Sequence, residues 1–340
     1  MTSTDATVRI PETSVRAAVA ATYIAFIGAG FAFASWASRI PQVRDRLHLR
    51  PSALGLVLLA IAAGSVLALP LSGPVIARVG SRRTVTAMAL LLGVGLATAA
   101  VGYPFGLVPL IVGLFLLGFA NGAWDVAMNV QGAVVERHLG RSIMSRFHAG
   151  FSLGTVAGAG IGAAAVALRV PVTVHLTAVA AGVAVAVPLG ARRFVPDHEE
   201  AGADPTGDSA AGAGPGRTDR RGTLASWREP RTLLIGVFVL AFAFAEGAGN
   251  DWISVAVIDG YGLSAALGTL AFAGFLAAMT AGRWFGPGLL DRYGRVPVIR
   301  ALSLLGIAGL VLFVYAPVAP WPSSAPCCGG SGSPSVSRSA

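Results

Sequence analysis

Long runs without charged residues alternate with short polar connections along most of this chain. A helix needs about 20 apolar residues to cross a membrane, so each run can hold one helix and the longest can hold two. The runs are apolar on every face and rich in Gly and Ala, unlike the alternating segments of about ten residues found in barrel strands. The pattern therefore predicts transmembrane helices. These runs cover residues 17–38, 51–77, 84–124, 147–168, 170–191 and 260–282.

Nine transmembrane helices are predicted, which makes the chain an all-α polytopic membrane protein. The longest run divides around Pro104, since the Gly and Pro residues of 102–106 favour a tight turn. A composition of 54% hydrophobic and 12% charged residues is too apolar for a soluble surface and fits a chain in lipid. We place the helices at residues 17–38, 53–76, 84–102, 107–134, 148–168, 171–190, 232–257, 263–289 and 298–317.

A polar stretch separates the sixth predicted helix from the seventh. Residues 194–231 contain few large apolar side chains, so we predict a flexible cytoplasmic linker there. It joins a six-helix half, residues 1–193, to a three-helix half, residues 232–317. The remaining residues, 318–340, are rich in Ser, Pro and Gly, and Cys327 and Cys328 are adjacent. We expect a frameshifted or truncated second half, with a true disordered tail as the alternative.

The basic residues predict the orientation, because cytoplasmic loops of membrane proteins carry an excess of positive charge. All 25 are arginines, and most fall in loops that face the cytoplasm if the N-terminus lies inside. The net charge of +9 then reflects topology and contact with anionic lipid, and a nucleic-acid partner has no support. Four external arginines between Arg39 and Arg50 are an exception. They either pair with Asp45 and lipid headgroups or mark an outward-facing functional vestibule.

The two halves repeat each other, which is the strongest organisational signal in the chain. Arg78 and Arg292 are 214 positions apart, and so are Gly80 and Gly294. A parallel duplication joined by a polar loop is typical of transporters with a cavity between the halves. Both copies resemble the loop motif Gly-x-x-x-Asp-Arg-x-Gly-Arg-Arg of the major facilitator superfamily.

That resemblance implies a bundle of twelve helices, of which about nine are present, and assigns the two motif copies to cytoplasmic gate loops. The first copy has Ala77 in place of the motif Asp, and the second has Pro287 in place of the first Gly. An arginine cluster after a glycine turn can anchor the loop at an anionic leaflet and pair with carboxylates. Simple positive-inside anchoring is the alternative. The gate residues are Gly73, Arg78, Gly80, Arg82, Arg83, Asp291, Arg292, Gly294 and Arg295.

Two stripes of polar side chains interrupt apolar helices and predict the substrate cavity. Ionisable groups are costly in hydrocarbon and usually face an internal cavity. In the fourth predicted helix polar residues recur every four positions, so they share one face. A comparable stripe lies in the seventh, and the superfamily resemblance places helices one, four and seven around the cavity. The predicted cavity residues are Asn121, Trp124, Asp125 and Asn129, then Glu246, Asn250, Asp251 and Trp252, with Trp36 in the first helix.

Asp125 and Glu246 are the predicted proton-coupling residues. Burial disfavours the charged form of a carboxylate, which lets such a group exchange a proton near physiological pH. The segment Trp124 to Asn129 resembles the fucose permease branch of the superfamily, where an acidic residue precedes an Asn by four positions. The second acidic residue of that branch has no counterpart here, so the resemblance does not carry over sugar specificity. A structural role, in which Asp125 pairs with Arg or Asn to lock helices, is the alternative.

The sequence thus favours a proton-coupled secondary transporter for a small polar solute such as a sugar, working as a monomer in the inner membrane. It contains no P-loop, nucleophile elbow or metal-binding motif, so we expect no enzyme activity, cofactor or metal. Partners are then the solute, protons and membrane lipids. Drug or metabolite efflux is a second hypothesis, for which Trp36, Trp124 and Trp252 would line the cavity. A truncated remnant or scaffold without transport is a third.

Overall fold

The computed structural model describes residues 11–197 and 230–315, and the regular structure in these ranges is helical. A 3-10 turn, Tyr103–Phe105, separates the fourth helix from the fifth. The α-helices are α1 (Glu12–Ala37), α2 (Ile40–Arg46), α3 (Pro51–Val79), α4 (Ser81–Gly102), α5 (Leu107–Leu139), α6 (Met144–Ala167), α7 (Val172–Ala191), α8 (Pro230–Tyr261), α9 (Ala265–Tyr293) and α10 (Arg295–Tyr315).

Nine spans within the described ranges are long and apolar enough to cross a membrane, with the short α2 continuing the first of them. This confirms the predicted all-α membrane bundle. Several helices extend further than predicted: α5 reaches Leu139 and α9 reaches Tyr293. A helix can continue through polar residues beyond the hydrocarbon, so hydropathy alone marks its apolar part.

Glycines let the helices of the first six spans approach closely. A Cβ on Gly154 of α6 would lie 2.2 Å from the carbonyl oxygen of Ile27 in α1, and one on Gly118 of α5 would lie 2.0 Å from that of Ile61 in α3. Neither site has room for a side chain, so close packing there requires glycine. Gly158 of α6 also packs against α1, and Gly162 packs against Ser38, which directly follows α1. Gly160 instead faces open space.

The chain divides into two compact units, residues 1–287 and 288–340, with the boundary inside α9. The first unit holds α1 to α8 and most of α9, and the second holds α10. Of the predicted linker, residues 194–197 continue from α7, with Phe194 and Val195 buried. These four residues therefore differ from the flexible segment that was predicted. Residues 198–229 and the predicted tail, 318–340, lie outside the described residues.

Successive spans run in opposite directions, so the connections of the first unit collect at two ends. One end carries the α1–α2, α4–α5, α6–α7 and α8–α9 connections. We call it the Arg44 end. The other carries the α3–α4 and α5–α6 connections and the segment after α7, and we call it the Arg78 end.

Candidate functional site

The polar stripe lies in the middle of α5. Asn121, Asp125 and Asn129 follow one another at one-turn intervals, and none of the three is fully buried. The side-chain nitrogen of Asn129 donates to the Asp125 backbone oxygen at 2.8 Å and lies 3.4 Å from its carboxylate oxygen Oδ1. The Asn129 amide thus contacts one oxygen of the Asp125 carboxylate. The rest of the carboxylate remains available to bind a proton or a solute.

His148, near the start of α6, faces this carboxylate. Its ring meets the ring of Phe26 edge-on, with 5.2 Å between the centroids. Phe26 is fully buried in α1, so the contact fixes where the imidazole lies. His148 and Asp125 are close enough to interact electrostatically. An imidazole beside a carboxylate can accept or pass on a proton.

An ion pair from α8 and α9 completes this region. The Arg283 guanidinium nitrogen Nη2 lies 2.9 Å from Oε1 of Glu246. Its other nitrogen, Nη1, donates to the Ser152 hydroxyl of α6 at 3.0 Å. Ser152 is fully buried, so Arg283 reaches from α9 into the first six spans. One arginine therefore joins the carboxylate of α8 to a helix of the first half.

Asp125, His148 and Arg283 line one partly open pocket of about 210 Å³. A cavity of this size accommodates a small molecule or a few waters. It presents a carboxylate, an imidazole and a guanidinium, and Glu246 lies directly behind the guanidinium. The lining residues are Asp125, Met128, His148, Phe151 and Arg283.

Other predicted cavity residues are placed differently. Trp124 is 0% exposed and Trp36 is 2% exposed, so both indoles are inside the hydrophobic core of the first six spans. On α8, Trp252 packs against the same core and Asp251 is half-buried. The side-chain oxygen of Asn250 is buried without a hydrogen-bond partner. The structure thus brings Asp125 and Glu246 to one region and leaves the tryptophans outside it.

Sequence reasoning missed Arg283, His148 and Ser152 as members of this site. The position of Arg283 could have indicated its role. It lies in the apolar part of its helix, well before the polar end, and an unpaired charge is costly there. In the described ranges no three His, Cys, Asp or Glu side chains come together in a way that could hold a metal ion.

A second charged contact lies at the Arg44 end. Arg44 of α2 forms an ion pair with Asp259, near the end of α8. It also donates from Nε and Nη2 to the neighbouring Asp45 at 2.9 and 2.7 Å. Of the two alternatives for this arginine cluster, pairing with Asp45 is therefore observed for Arg44. The contact joins the first six spans to α8.

The loop motifs form matching glycine turns. Gly80 has φ +83° and Gly294 has φ +82°, a region that side chains rarely adopt. Each glycine N–H donates to the carbonyl four residues earlier, at 2.8 Å for Gly80 and 2.9 Å for Gly294. The sequence repeat is thus also a repeat of local backbone geometry. Within the second unit, Arg292 lies over the Tyr293 ring at 5.3 Å from its centroid.

Asp197, which follows α7, binds the first of these turns. It accepts hydrogen bonds from the backbone N–H of Ser81 and, at 2.7 Å, from the Ser81 hydroxyl. A carboxylate at this position satisfies a free amide of the α4 N-terminus. Gln131 of α5 is fully buried beside it, and its amide pairs with both backbone groups of Val195 at 3.0 and 3.1 Å. A basic pocket lined by Arg78, Arg82 and Arg83 surrounds this turn, whereas Gly73 faces open space.

An apolar helix bundle with ionisable groups around a pocket between its helices is typical of a membrane carrier, a protein that binds a solute between its helices. The family comparison agrees with this class. The family model described as Major Facilitator Superfamily matches residues 16–337. The chain belongs to this superfamily and is therefore a multi-pass membrane protein of a transporter family, not an enzyme.

Individual relatives are similar over most of the chain. An uncharacterized MFS-type transporter of Yersinia pestis is 30% identical over 298 residues, covering 86% of this chain and 71% of the relative. The uncharacterized transporter y4wD of Sinorhizobium fredii is 30% identical over 299 residues, covering 87% and 74%. The membrane protein MosC of Rhizobium meliloti is 26% identical over 288 residues, covering 85% and 66%.

Proposed function

We propose that this protein is a proton-coupled secondary transporter that moves a small polar solute, such as a sugar, by alternating access. The observation that carries the proposal is that Asp125, His148 and Arg283 line one partly open pocket, where Arg283 is paired with Glu246. Ionisable groups at this depth in a transporter usually bind the solute or the coupling ion. The polar and ionisable lining of this region supports a polar solute, and a sugar is one example of that class.

Asp125 is the proposed coupling carboxylate. It lines the cavity, it has an imidazole beside it, and Asn129 engages only part of it. Uptake of a proton would remove its negative charge and so change how the cavity binds a polar solute. Among the described residues, Asp125 has no arginine within ion-pair distance. This argues against the alternative that Asp125 serves only to lock two helices together.

Glu246 is the proposed second proton site. Its carboxylate holds Arg283, and a protonated Glu246 would no longer form this ion pair. The guanidinium would then be free to bind polar groups of a solute in the cavity. Protonation on α8 would thereby alter the contact from α9 to Ser152 of α6, which links the two proposed halves.

The arginine distribution supports a cytoplasmic N-terminus, as predicted from the positive-inside rule. The Arg44 end is then external and the Arg78 end cytoplasmic. In this orientation Arg44 and Asp259 hold the external ends of α2 and α8 together. The glycine turn at Gly80 and the arginines around it lie at the cytoplasmic membrane surface.

Proteoliposomes with an imposed proton gradient test the proposal. A panel of radiolabelled hexoses is screened for uptake, and an internal pH dye reports proton entry. Asp125→Asn should abolish proton-driven accumulation of the transported sugar while exchange of labelled for unlabelled sugar continues. Asp45→Asn is the matched control, because it removes an exposed carboxylate and leaves the Arg44–Asp259 pair in place.

Two outcomes would contradict the proposal. Undiminished accumulation by Asp125→Asn would remove this residue from coupling. A folded protein that moves neither protons nor any sugar of the panel would support a different solute class or a role without transport. Binding of apolar cations by the same protein would favour efflux, although the burial of Trp36 and Trp124 gives that hypothesis no structural support.

A further inference from the structure

A cluster of buried polar atoms without partners lies at the Arg44 end, apart from the central cavity. Eight buried side-chain atoms in the described ranges have no hydrogen-bond partner, and six of them belong to this cluster. The cluster comprises Ser35, Trp36, Arg39, Gln42 and His175. Such groups are uncommon because an unmade hydrogen bond in a buried place is costly, so a local concentration of them calls for an explanation.

Arg39 is the centre of this cluster. Its side chain is 1% exposed, and its Nε donates to Nδ1 of His175 at 2.9 Å, while His175 is 6% exposed. Among the described residues no carboxylate lies within ion-pair distance of Arg39. A guanidinium stays protonated in proteins, so a full positive charge is buried here against a neutral partner. Removing an uncompensated charge from water is strongly unfavourable.

The hydrogen bond between the two side chains fixes the state of the imidazole. Because Nδ1 accepts from Arg39, His175 must be neutral and carry its proton on Nε2. Among the unpartnered atoms of the cluster, Arg39 Nη2, His175 Nε2 and Trp36 Nε1 are donors, whereas Ser35 Oγ and Gln42 Oε1 can accept. Both of these acceptors are neutral, so they leave the guanidinium charge uncompensated. A water would supply an acceptor but would leave the charge uncompensated, whereas an anion supplies both.

We propose that Arg39, held in place by His175, forms a binding site for a small anion, of the chloride or carboxylate class, at the Arg44 end. Arg39 supplies the charge and the Nη2 donor, and His175 fixes the guanidinium by accepting from its Nε at Nδ1. The site adjoins Ser38, whose carbonyl oxygen lies 3.5 Å from the Thr269 hydroxyl of α9. The anion would therefore sit where the first six spans meet α9. This inference does not depend on proton coupling or on the nature of the solute.

Thermal unfolding of the purified full chain in detergent tests the site. Sodium chloride is titrated against sodium gluconate at constant ionic strength, and sodium bromide and sodium formate are titrated in the same way. Chloride should raise the Tm in a saturable manner that gluconate does not reproduce, because a ligand that binds only the folded state stabilises it. Absence of any difference between these anions would overturn the proposal and leave water as the occupant.

Two variants locate the effect. Arg39→Gln should abolish the saturable response, or weaken the affinity for chloride by about tenfold to a hundredfold, as expected for loss of a charged hydrogen bond. Arg46→Gln is the matched control, since it removes an exposed arginine from the neighbouring turn and should respond like the original protein. An unchanged chloride response in Arg39→Gln would refute the assignment.

If Arg39→Gln cannot be purified in folded form, His175→Gln provides the second test. It keeps the arginine charge and removes the imidazole that holds the guanidinium in place, so chloride affinity should fall by about tenfold. A crystal soaked with iodide gives an independent readout, with anomalous density expected beside Arg39. Density only at other positions, together with an unchanged affinity in His175→Gln, would count against the site.

Discussion

Removal of the Asp259 carboxylate should loosen the Arg44 end. The side chain of Arg44 is 10% exposed and that of Asp259 is 49% exposed, so the pair lies at the edge of the bundle. It is the ion pair among the described residues that joins α2 to α8. In a carrier that works by alternating access, contacts between halves at one end stabilise the state that is closed at that end. Asp259→Asn should therefore favour opening there.

The expected magnitude follows from the surroundings of Arg44. Exposed ion pairs contribute about 0.2–1 kcal/mol, and hydrogen bonds to charged groups about 1.5–3 kcal/mol. Asp259 is half exposed, and Asp45 remains within 2.7 Å of Arg44 in the variant, so the guanidinium keeps one carboxylate. We therefore expect a loss of about 1 kcal/mol, which corresponds to a roughly fivefold change in the ratio of open to closed states.

Distance measurements between spin labels on α2 and α8 provide the assay. Labels are placed at Arg46→Cys and Gly260→Cys, both exposed positions, after Cys327 and Cys328 are changed to Ser. In Asp259→Asn the long-distance population should rise about fivefold relative to the short-distance one. The double exchange Arg44→Asp with Asp259→Arg should restore the original distribution, because the charges are reversed as a pair.

The control for this experiment is Asp45→Asn, which leaves the Arg44–Asp259 pair in place and should change the distribution less. The reasoning is refuted if Asp259→Asn leaves the distance distribution unchanged. It is also refuted if the double exchange behaves like the single variant, since the contact would then not act through charge.

Two further predictions concern glycines and are measured as shifts in Tm of the purified protein. Gly154→Ala should destabilise by about 1–3 kcal/mol, because its Cβ would lie 2.2 Å from a backbone oxygen of α1, whereas Gly160→Ala meets nothing within 4 Å and should be neutral or stabilising. Gly80→Ala should cost about 1–3 kcal/mol, because φ is +83° there, while Gly73→Ala lies in open space and serves as its control. Equal shifts within either pair would contradict the packing or the turn argument.

Hydropathy predicted the helical spans well because lipid leaves few alternatives for the backbone. Each buried N–H and C=O group must be paired within its own segment, so an apolar run of sufficient length becomes a helix. The stripe of Asn121, Asp125 and Asn129 was also predictable, because spacing by four residues determines a shared face. Both the position of a span and the face of a helix are determined by residues close together in the sequence, so both can be predicted from it.

The partners of the polar residues were not predictable in the same way. Glu246 was recognised from its position, but its pairing with Arg283 depends on how α8 and α9 lie side by side. The contact from Arg283 to Ser152 spans 131 positions in the chain. Nothing in the spacing of either residue indicates the other. Side-chain contacts between helices require the packing of the bundle, which sequence periodicity does not provide.

In the loop after α3, a carboxylate from a distant part of the chain contacts the turn where the motif Asp is missing. The superfamily motif has an Asp where this chain has Ala77, so the sequence alone leaves the turn without its carboxylate. In the structure Asp197 supplies one, bound to the amide and hydroxyl of Ser81 at the start of α4. Since Asp197 follows α7, this contact ties the turn to the end of the sixth span.

The contact between Asp197 and Ser81 affects how the Arg78 end can move. Buried Gln131 of α5 holds Val195 by two backbone contacts, two residues before Asp197. The α3–α4 turn, α5 and the segment after α7 are thereby joined through hydrogen bonds within the first six spans. A carboxylate at residue 77 would belong to the turn itself, whereas Asp197 couples the turn to two other helices. We therefore expect the turn to move together with the first six spans as one body when the carrier changes state.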